Sequence, residues 1–167
     1  KNTIVKPVWF MRQAGRYLPE FKEIRKLNPN FVNLCLNENL SSLITLQPLK
    51  RFDLDAAIIF SDILMLPYGL NQKVVFKKNF GPELGPIDLD KISRVDEIYF
   101  LEKLLPIYKA IKKVKKNPLV KNKDLIGFVG APWTLLVYMI NKSSPKKKLI
   151  KNFFGDNYLI KKILKIL

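Results

Sequence analysis

Histidine is absent from these 167 residues. That excludes a Ser-His-Asp triad, a Cys-His dyad and any histidine-ligated metal site within them. Cysteine occurs once, as Cys35, so no internal disulfide can form. Cys35 lies between Leu34 and Leu36 and reads as a small core residue, not a nucleophile. A single thiol suits a reducing, cytoplasmic setting. No apolar run reaches the roughly 18 residues that cross a bilayer. The start of the chain lacks the apolar segment and small-residue cleavage site of a signal peptide. A glycine-rich phosphate loop is missing too, and Gly127-Phe128-Val129-Gly130 is not the dinucleotide fingerprint. There is no internal repeat, heptad array or linker. The chain begins with lysine and ends in a helical pattern, which suggests a piece of a longer protein.

Acidic residues are scarce: 14 against 30 basic ones, a formal net charge of +16. Two readings of that charge stand. It marks a surface for nucleic acid or anionic membrane, or it reflects abundant lysine on solvated helix faces such as Lys112-Lys113 and Lys146-Lys147-Lys148. The second is preferred, with no nucleic acid and no membrane as partners. An apolar fraction of 48% and an aromatic fraction of 11% provide for a real core, so a folded domain is expected. Arginine is rare as well. The five are Arg12, Arg16, Arg25, Arg51 and Arg94, and three of them fall near the start. The guanidinium is a planar fork that grips a carboxylate with two hydrogen bonds and stays charged. Such a cluster reads as a site for a polyanionic small molecule.

Residues 1–30 are expected to be irregular, broken by Pro7, Gly15, Pro19 and Pro29. A helix starts near Asn37, and Pro48 is expected to kink or end it. Residues 55–62 carry a continuous apolar run, Ala56-Ala57-Ile58-Ile59-Phe60, the pattern of a strand buried on both faces. Val74-Val75-Phe76 is a short strand candidate, followed by a turn-rich patch at residues 81–86. Ser93-Arg94-Val95-Asp96 resembles a capping box. After it Ile98, Leu101, Leu105, Tyr108, Ile111 and Val114 keep a helical period. Residues 125–130 read as a second buried strand, and a helix follows from Pro132 to about Asn141. A last helix starts at Pro145 and carries Ile160, Ile163, Leu164 and Leu167 on its apolar side.

Strand, long connection, helix, strand, helix is the grammar of a parallel α/β protein. With no Rossmann signature, a (β/α) barrel is the better reading, and such a barrel needs roughly 200 residues or more. Reactive groups in that fold sit at the C-terminal ends of strands. Asp62 stands there after the first strand. It reads either as a turn-starting or helix-capping aspartate or as an anion held at the mouth, with Ser61 supporting it. Gly130 and Ala131 follow the second strand and allow close approach of a ligand to the backbone. Trp133 reads as packing, and Tyr138 as a core tyrosine.

The stretch Met11-Arg12-Gln13-Ala14-Gly15-Arg16-Tyr17-Leu18-Pro19-Glu20-Phe21 resembles the N-terminal signature of the uroporphyrinogen decarboxylases. So do Thr45-Leu46-Gln47-Pro48-Leu49-Lys50-Arg51-Phe52 and Gly127-Phe128-Val129-Gly130-Ala131-Pro132-Trp133-Thr134-Leu135. The resemblance implies the N-terminal portion of a truncated (β/α)8 barrel, with residues 1–167 as one incomplete domain. It implies a cofactor-free, homodimeric, cytoplasmic carboxy-lyase that turns the four acetate arms of uroporphyrinogen III into the methyls of coproporphyrinogen III. Arg12, Gln13, Ala14, Gly15, Arg16 and Arg25 match the cleft that binds the substrate carboxylates. Asp62 matches the aspartate under the pyrrole N–H groups, and Tyr138 the active-site tyrosine. Asp62 and Arg12 are the catalytic candidates, Arg12 as a possible proton donor whose pKa suits that task poorly. No metal is implied. The family's cleft also uses a serine or threonine and a histidine from its later half, which this chain does not contain, so the chain alone is expected to be inactive. Two other readings are the cobamide-dependent methyltransferases, which share the fold but hold a metal largely by histidine and cysteine, and a basic binding module resting on the net charge and residues 145–167.

Overall fold

The computed structural model describes residues 6–11, 17–77, 80–144 and 157–167. In chain order these form α1 (Pro19–Leu27), α2 (Phe31–Cys35), α3 (Glu38–Arg51), β1 (Ala56–Ile58), α4 (Met65–Gly69), β2 (Val74–Lys77), β3 (Gly81–Leu84), α5 (Leu89–Ser93), α6 (Glu97–Lys115), a 3-10 turn (Pro118–Val120), β4 (Asp124–Ile126), α7 (Pro132–Asn141) and α8 (Asn157–Ile166). They belong to two compact units, residues 1–61 with 105–128 and residues 62–104 with 129–167.

In the first unit β1 and β4 pair in parallel, with Ala57 opposite Leu125 and Ile58 opposite Ile126. Parallel neighbours require a crossover connection, and α6 is the long helix within it. The core lies between this pair and its helices: Leu46 and Leu49 of α3, Ala57 and Ile59, and Ala110 and Val114 of α6. Each buried aliphatic side chain of this kind is worth about 1.5–3 kcal/mol against exposure. Asn37 caps α3, its side chain accepting the N–H groups of Asn39 and Leu40 at 3.1 and 3.0 Å. Pro48 does not end the helix. Its missing N–H falls in the closing turns, and its carbonyl accepts the Phe52 N–H at 2.9 Å, so the ladder resumes after it. Residues 1–30 are not irregular throughout either. Pro19 opens α1 at a position where its fixed φ is already helical and no N–H is needed, so it starts structure instead of breaking it.

In the second unit β2 and β3 form an antiparallel hairpin, Val74 opposite Leu84. The patch at 81–86, expected as turn, therefore supplies a strand, with Gly81 at φ +82° where a side chain would be strained. Gln72 binds the unit together, its Nε2 donating to the carbonyls of Gly85 at 2.9 Å and Met139 at 3.1 Å. A Cβ at Gly69 would stand 2.5 Å from the Phe100 ring, so α4 meets α6 there by way of glycine. The cap of α6 is Asp96, whose Oδ1 accepts the Tyr99 N–H at 2.7 Å; Ser93 ends α5 instead of opening a capping box. α7 matches its expected bounds. The last helix is described as α8, with Ile160 and Ile163 buried; its expected start at Pro145 lies outside the described residues.

Two apolar patterns are less covered than expected. Of the expected α6 stripe, Ile98, Leu101, Leu105 and Tyr108 are exposed, whereas Val114 is buried and Ile111 packs against the core; Leu104 and Ala110 are buried as well. The helical period holds, but only the later part of the stripe meets the core. Likewise, β4 is short and at most half-buried, and Phe128 and Val129 beyond it are 44% and 71% exposed. A continuous apolar run is buried only where both edges and both faces of its strand are covered. Among the described residues β4 pairs along one edge alone.

Candidate functional site

The tip of β1 is held from three sides. The Ile59 N–H donates to the Ile126 carbonyl at 3.0 Å and extends the parallel ladder. One residue on, α3 meets both polar groups of the Phe60 backbone. The Phe60 N–H donates to Thr45 Oγ1 at 2.9 Å, and Ser41 Oγ donates to the Phe60 carbonyl at 2.7 Å. The Thr45 hydroxyl itself donates back to the Ser41 carbonyl at 2.8 Å, closing the network along the helix. The Phe60 ring is met edge-on by Phe21 of α1 and Phe31 of α2, with centroids 6.0 and 5.7 Å away.

Asp62 follows this locked residue by two positions. Its Oδ1 accepts the Leu64 N–H at 2.8 Å and its carbonyl accepts the Met65 N–H at 3.1 Å, so it shapes the turn into α4. The capping reading is thus realised through Oδ1. Asp62 is half-buried. Within the second unit the segments that follow β1 and β4 lie together: a Cβ at Gly130 would stand 2.6 Å from the Leu135 side chain and 3.2 Å from Cβ of Ile63. Glycine at 130 is therefore a packing requirement of that meeting. Tyr138 sits half-buried in α7 among the buried Leu135, Leu136, Val137 and Met139. Trp133, read as packing, is 49% exposed.

Arg12, Gln13, Ala14, Gly15 and Arg16 lie outside the described residues. The chain just before them is anchored: the Asp55 N–H donates to the Val8 carbonyl at 2.9 Å and the Val8 N–H to Asp55 Oδ2 at 2.6 Å. Arg25 is engaged locally, with Nη1 donating to the Asn28 carbonyl at 2.6 Å and the guanidinium 5.5 Å from the Phe31 ring centre. Arg51 clasps Glu20 with two bonds of 2.7 and 2.8 Å. Those bonds hold the Glu20 carboxyl below its ordinary 4.5 and raise the guanidinium. Arg51 thereby joins α1 to α3. Sequence reasoning gave no role to Ser41, Thr45 or Asp55, although Thr45 opens the resembling stretch of residues 45–52; the signal of the other two was polarity beside apolar residues. In the first unit a hollow of about 850 Å³ between the end of α6 and β4, with Lys115, Lys116, Lys121 and Lys123 along it, contains none of the expected site residues. Among the described residues no His, Cys, Asp or Glu cluster is placed to hold a metal, and no helix is long and apolar enough to cross a membrane.

This arrangement defines a class: an α/β protein with parallel strands, an acid after one strand tip and a Gly-Ala-Pro turn after the next. The model of the family uroporphyrinogen decarboxylase (URO-D) matches residues 1–167, and the chain belongs to that family. Curated uroporphyrinogen decarboxylases are similar to it, from Rickettsia massiliae (45% identical over 92% of this chain and 44% of the relative), Rickettsia canadensis (46%, over 95% and 47%) and Agrobacterium fabrum (42%, over 93% and 45%). The chain spans about half the length of the curated relatives it matches, 44% to 47%.

Proposed function

We propose that residues 1–167 are the N-terminal portion, one incomplete domain, of a (β/α)8 barrel that decarboxylates the four acetate arms of uroporphyrinogen III to give coproporphyrinogen III. What supports this is Asp62 in the turn that follows a parallel strand, in a chain matched end to end by the decarboxylase family. Arg12 and Arg16, in the matching signature, grip carboxylates of a substrate that has eight, with Gln13, Ala14 and Gly15 lining the cleft beside them. Arg25 and Tyr138 match further substrate-binding positions of the family.

The chemistry follows from charge. Protonating a pyrrole on carbon makes the ring cationic. The bond between the acetate methylene and its carboxylate then breaks, carbon dioxide leaves, and the electron pair neutralises the ring. An ionised Asp62 against the pyrrole N–H groups stabilises the cation as it forms. A proton delivered to the resulting exocyclic methylene, with Arg12 as its donor, gives the methyl, and loss of the proton first added to the ring carbon restores the neutral aromatic pyrrole. The substrate is its own electron sink, so no cofactor is required. The working enzyme is a cytoplasmic homodimer, a setting that the single, buried thiol of Cys35 suits.

The test uses a chain of the relatives' full length that carries these 167 residues. Asp62→Asn is expected to lose turnover of uroporphyrinogen while still binding porphyrin acids, and Arg12→Ala or Arg16→Ala to weaken that binding. A parental rate in Asp62→Asn refutes the assigned role. Turnover by residues 1–167 alone refutes the expectation that this portion is insufficient.

A further inference from the structure

We infer that Ser41 and Thr45 of α3 are positioning residues for Asp62, holding the Phe60 backbone by both of its polar groups so that the carboxylate two residues on stays in one place. The inference rests on the decarboxylase reading above.

Both hydroxyl residues are sealed from solvent, Ser41 at 0% and Thr45 at 1% exposure, and Phe60 is buried with them. Serine and threonine inside a helix ordinarily turn their hydroxyls back to the preceding turn, and Thr45 does so. Neither needs a partner outside the helix. Yet the two converge on one residue, and each meets a different group of it, a donor and an acceptor. Both polar groups of the Phe60 backbone are therefore held by α3, next to Ile59, whose N–H is held by the Ile126 carbonyl. Only Ser61 separates the fixed residue from Asp62. On the far side, the Leu64 N–H holds Oδ1. The carboxylate is therefore braced from its own strand and from the turn beyond. An electrostatic stabiliser needs that bracing, because its effect depends on being in place before charge develops.

The experiment compares Thr45→Val, Thr45→Ser and Ser41→Ala in a chain of the relatives' full length carrying these 167 residues, with steady-state decarboxylation of uroporphyrinogen as the readout. Thr45→Val removes the acceptor and keeps the shape. It is expected to lower kcat by about tenfold or more while KM moves by less than about threefold, the pattern of a displaced but still substrate-binding site. Thr45→Ser restores the hydroxyl and is expected to return to within about threefold of the parent. Thr45→Val combined with Asp62→Asn should be no slower than Asp62→Asn alone, since both act through one carboxylate. Parental kcat in Thr45→Val, equal slowing in Thr45→Ser, or losses that multiply in the double variant each overturn the inference. If Thr45→Val fails to fold, Ser41→Ala, which removes only the bond to the Phe60 carbonyl, is judged on the same kcat and KM criteria. Loss in Asp62→Asn with all hydroxyl variants at parental rates refutes the positioning role alone. A parental rate in Asp62→Asn, or an inactive parent, refutes both it and the decarboxylase reading.

Discussion

The two strand tips began as the same pattern, an apolar run ending in a turn, and they come out differently. At the tip of β1, Phe60 is 6% exposed, both its backbone groups are bonded to α3, and its ring is flanked by two others. Beyond β4, Phe128 and Val129 stand open. Hydrophobicity alone does not make a tip rigid. β1 has helices that return to it from the preceding residues, and their hydroxyls and rings complete what the sheet leaves unpaired. β4 pairs along one edge among the described residues.

The largest effect expected from this contrast is in matched truncations. Phe60→Ala should cost about 3–5 kcal/mol in urea unfolding of the 167-residue chain, as for a buried phenylalanine with no room to collapse. Phe128→Ala should stay within about 0.5 kcal/mol, as for an open surface position. In a chain of the relatives' length, the cost at Phe128 should rise toward that at Phe60. Equal costs at the two sites in the short chain would break the comparison. An unchanged cost at Phe128 in the long one would show that its exposure has nothing to do with missing neighbours.

Next in size is the hydroxyl network. Thr45→Val leaves the Phe60 N–H buried without an acceptor and should cost about 1–3 kcal/mol, against which Thr45→Ser recovers most of the loss. A value near zero would mean that water reaches Phe60 and that the tip is less sealed than its burial indicates. Removing the Asn37 cap sharpens the point by a milder change at the far end of the same helix. Asn37→Ala gives up two bonds at the exposed start of α3 and should cost about 1 kcal/mol in the same unfolding measurement. A cost above that of Thr45→Val would place the weak point of α3 at its start and not beside the strand.

Elements that rest on local rules were legible in the sequence. Asn37 caps as its side-chain chemistry dictates, Pro132 opens α7 where proline is tolerated, and the run after Asp55 is a parallel strand. What failed depends on partners far along the chain. The stripe that starts at Ile98 has the right period, but no local rule says which part of it a neighbour will cover. The strand at residues 81–84 carries glycine and proline and is drawn into pairing by Val74 to Lys77 across the hairpin. The site divides in the same way. Asp62 was visible because an acid after an apolar run is conspicuous. Ser41 and Thr45 were not, because their meaning lies in a contact with Phe60, 19 and 15 positions away.

The smallest expected effect is electrostatic, at the clasp between Glu20 of α1 and Arg51 of α3 beside the β1 tip. The two hydrogen bonds from Arg51 lower the Glu20 carboxyl from 4.5, so the folded chain holds that proton less tightly than the unfolded one. The contribution is then fully present above the unfolded value and disappears as the pH falls through the lowered one. Glu38, lowered chiefly by its bond to Lys113, has the same sign. The parent should therefore lose stability on acidification below about pH 5, and Glu20→Gln should lose less, with the two urea midpoints converging at low pH. Because the pair is exposed, the gap at neutral pH should be slight and should shrink further in about 1 M salt. The residual acid slope in Glu20→Gln includes Glu38 and Asp88, the latter lowered by its bonds to Lys91, and should fall again in Glu20→Gln/Glu38→Gln. Parallel pH curves for the parent and Glu20→Gln would mean that the clasp is equally populated in both states. The anchoring of α1 beside the β1 tip would then rest on apolar packing, the Phe21 and Phe60 rings included.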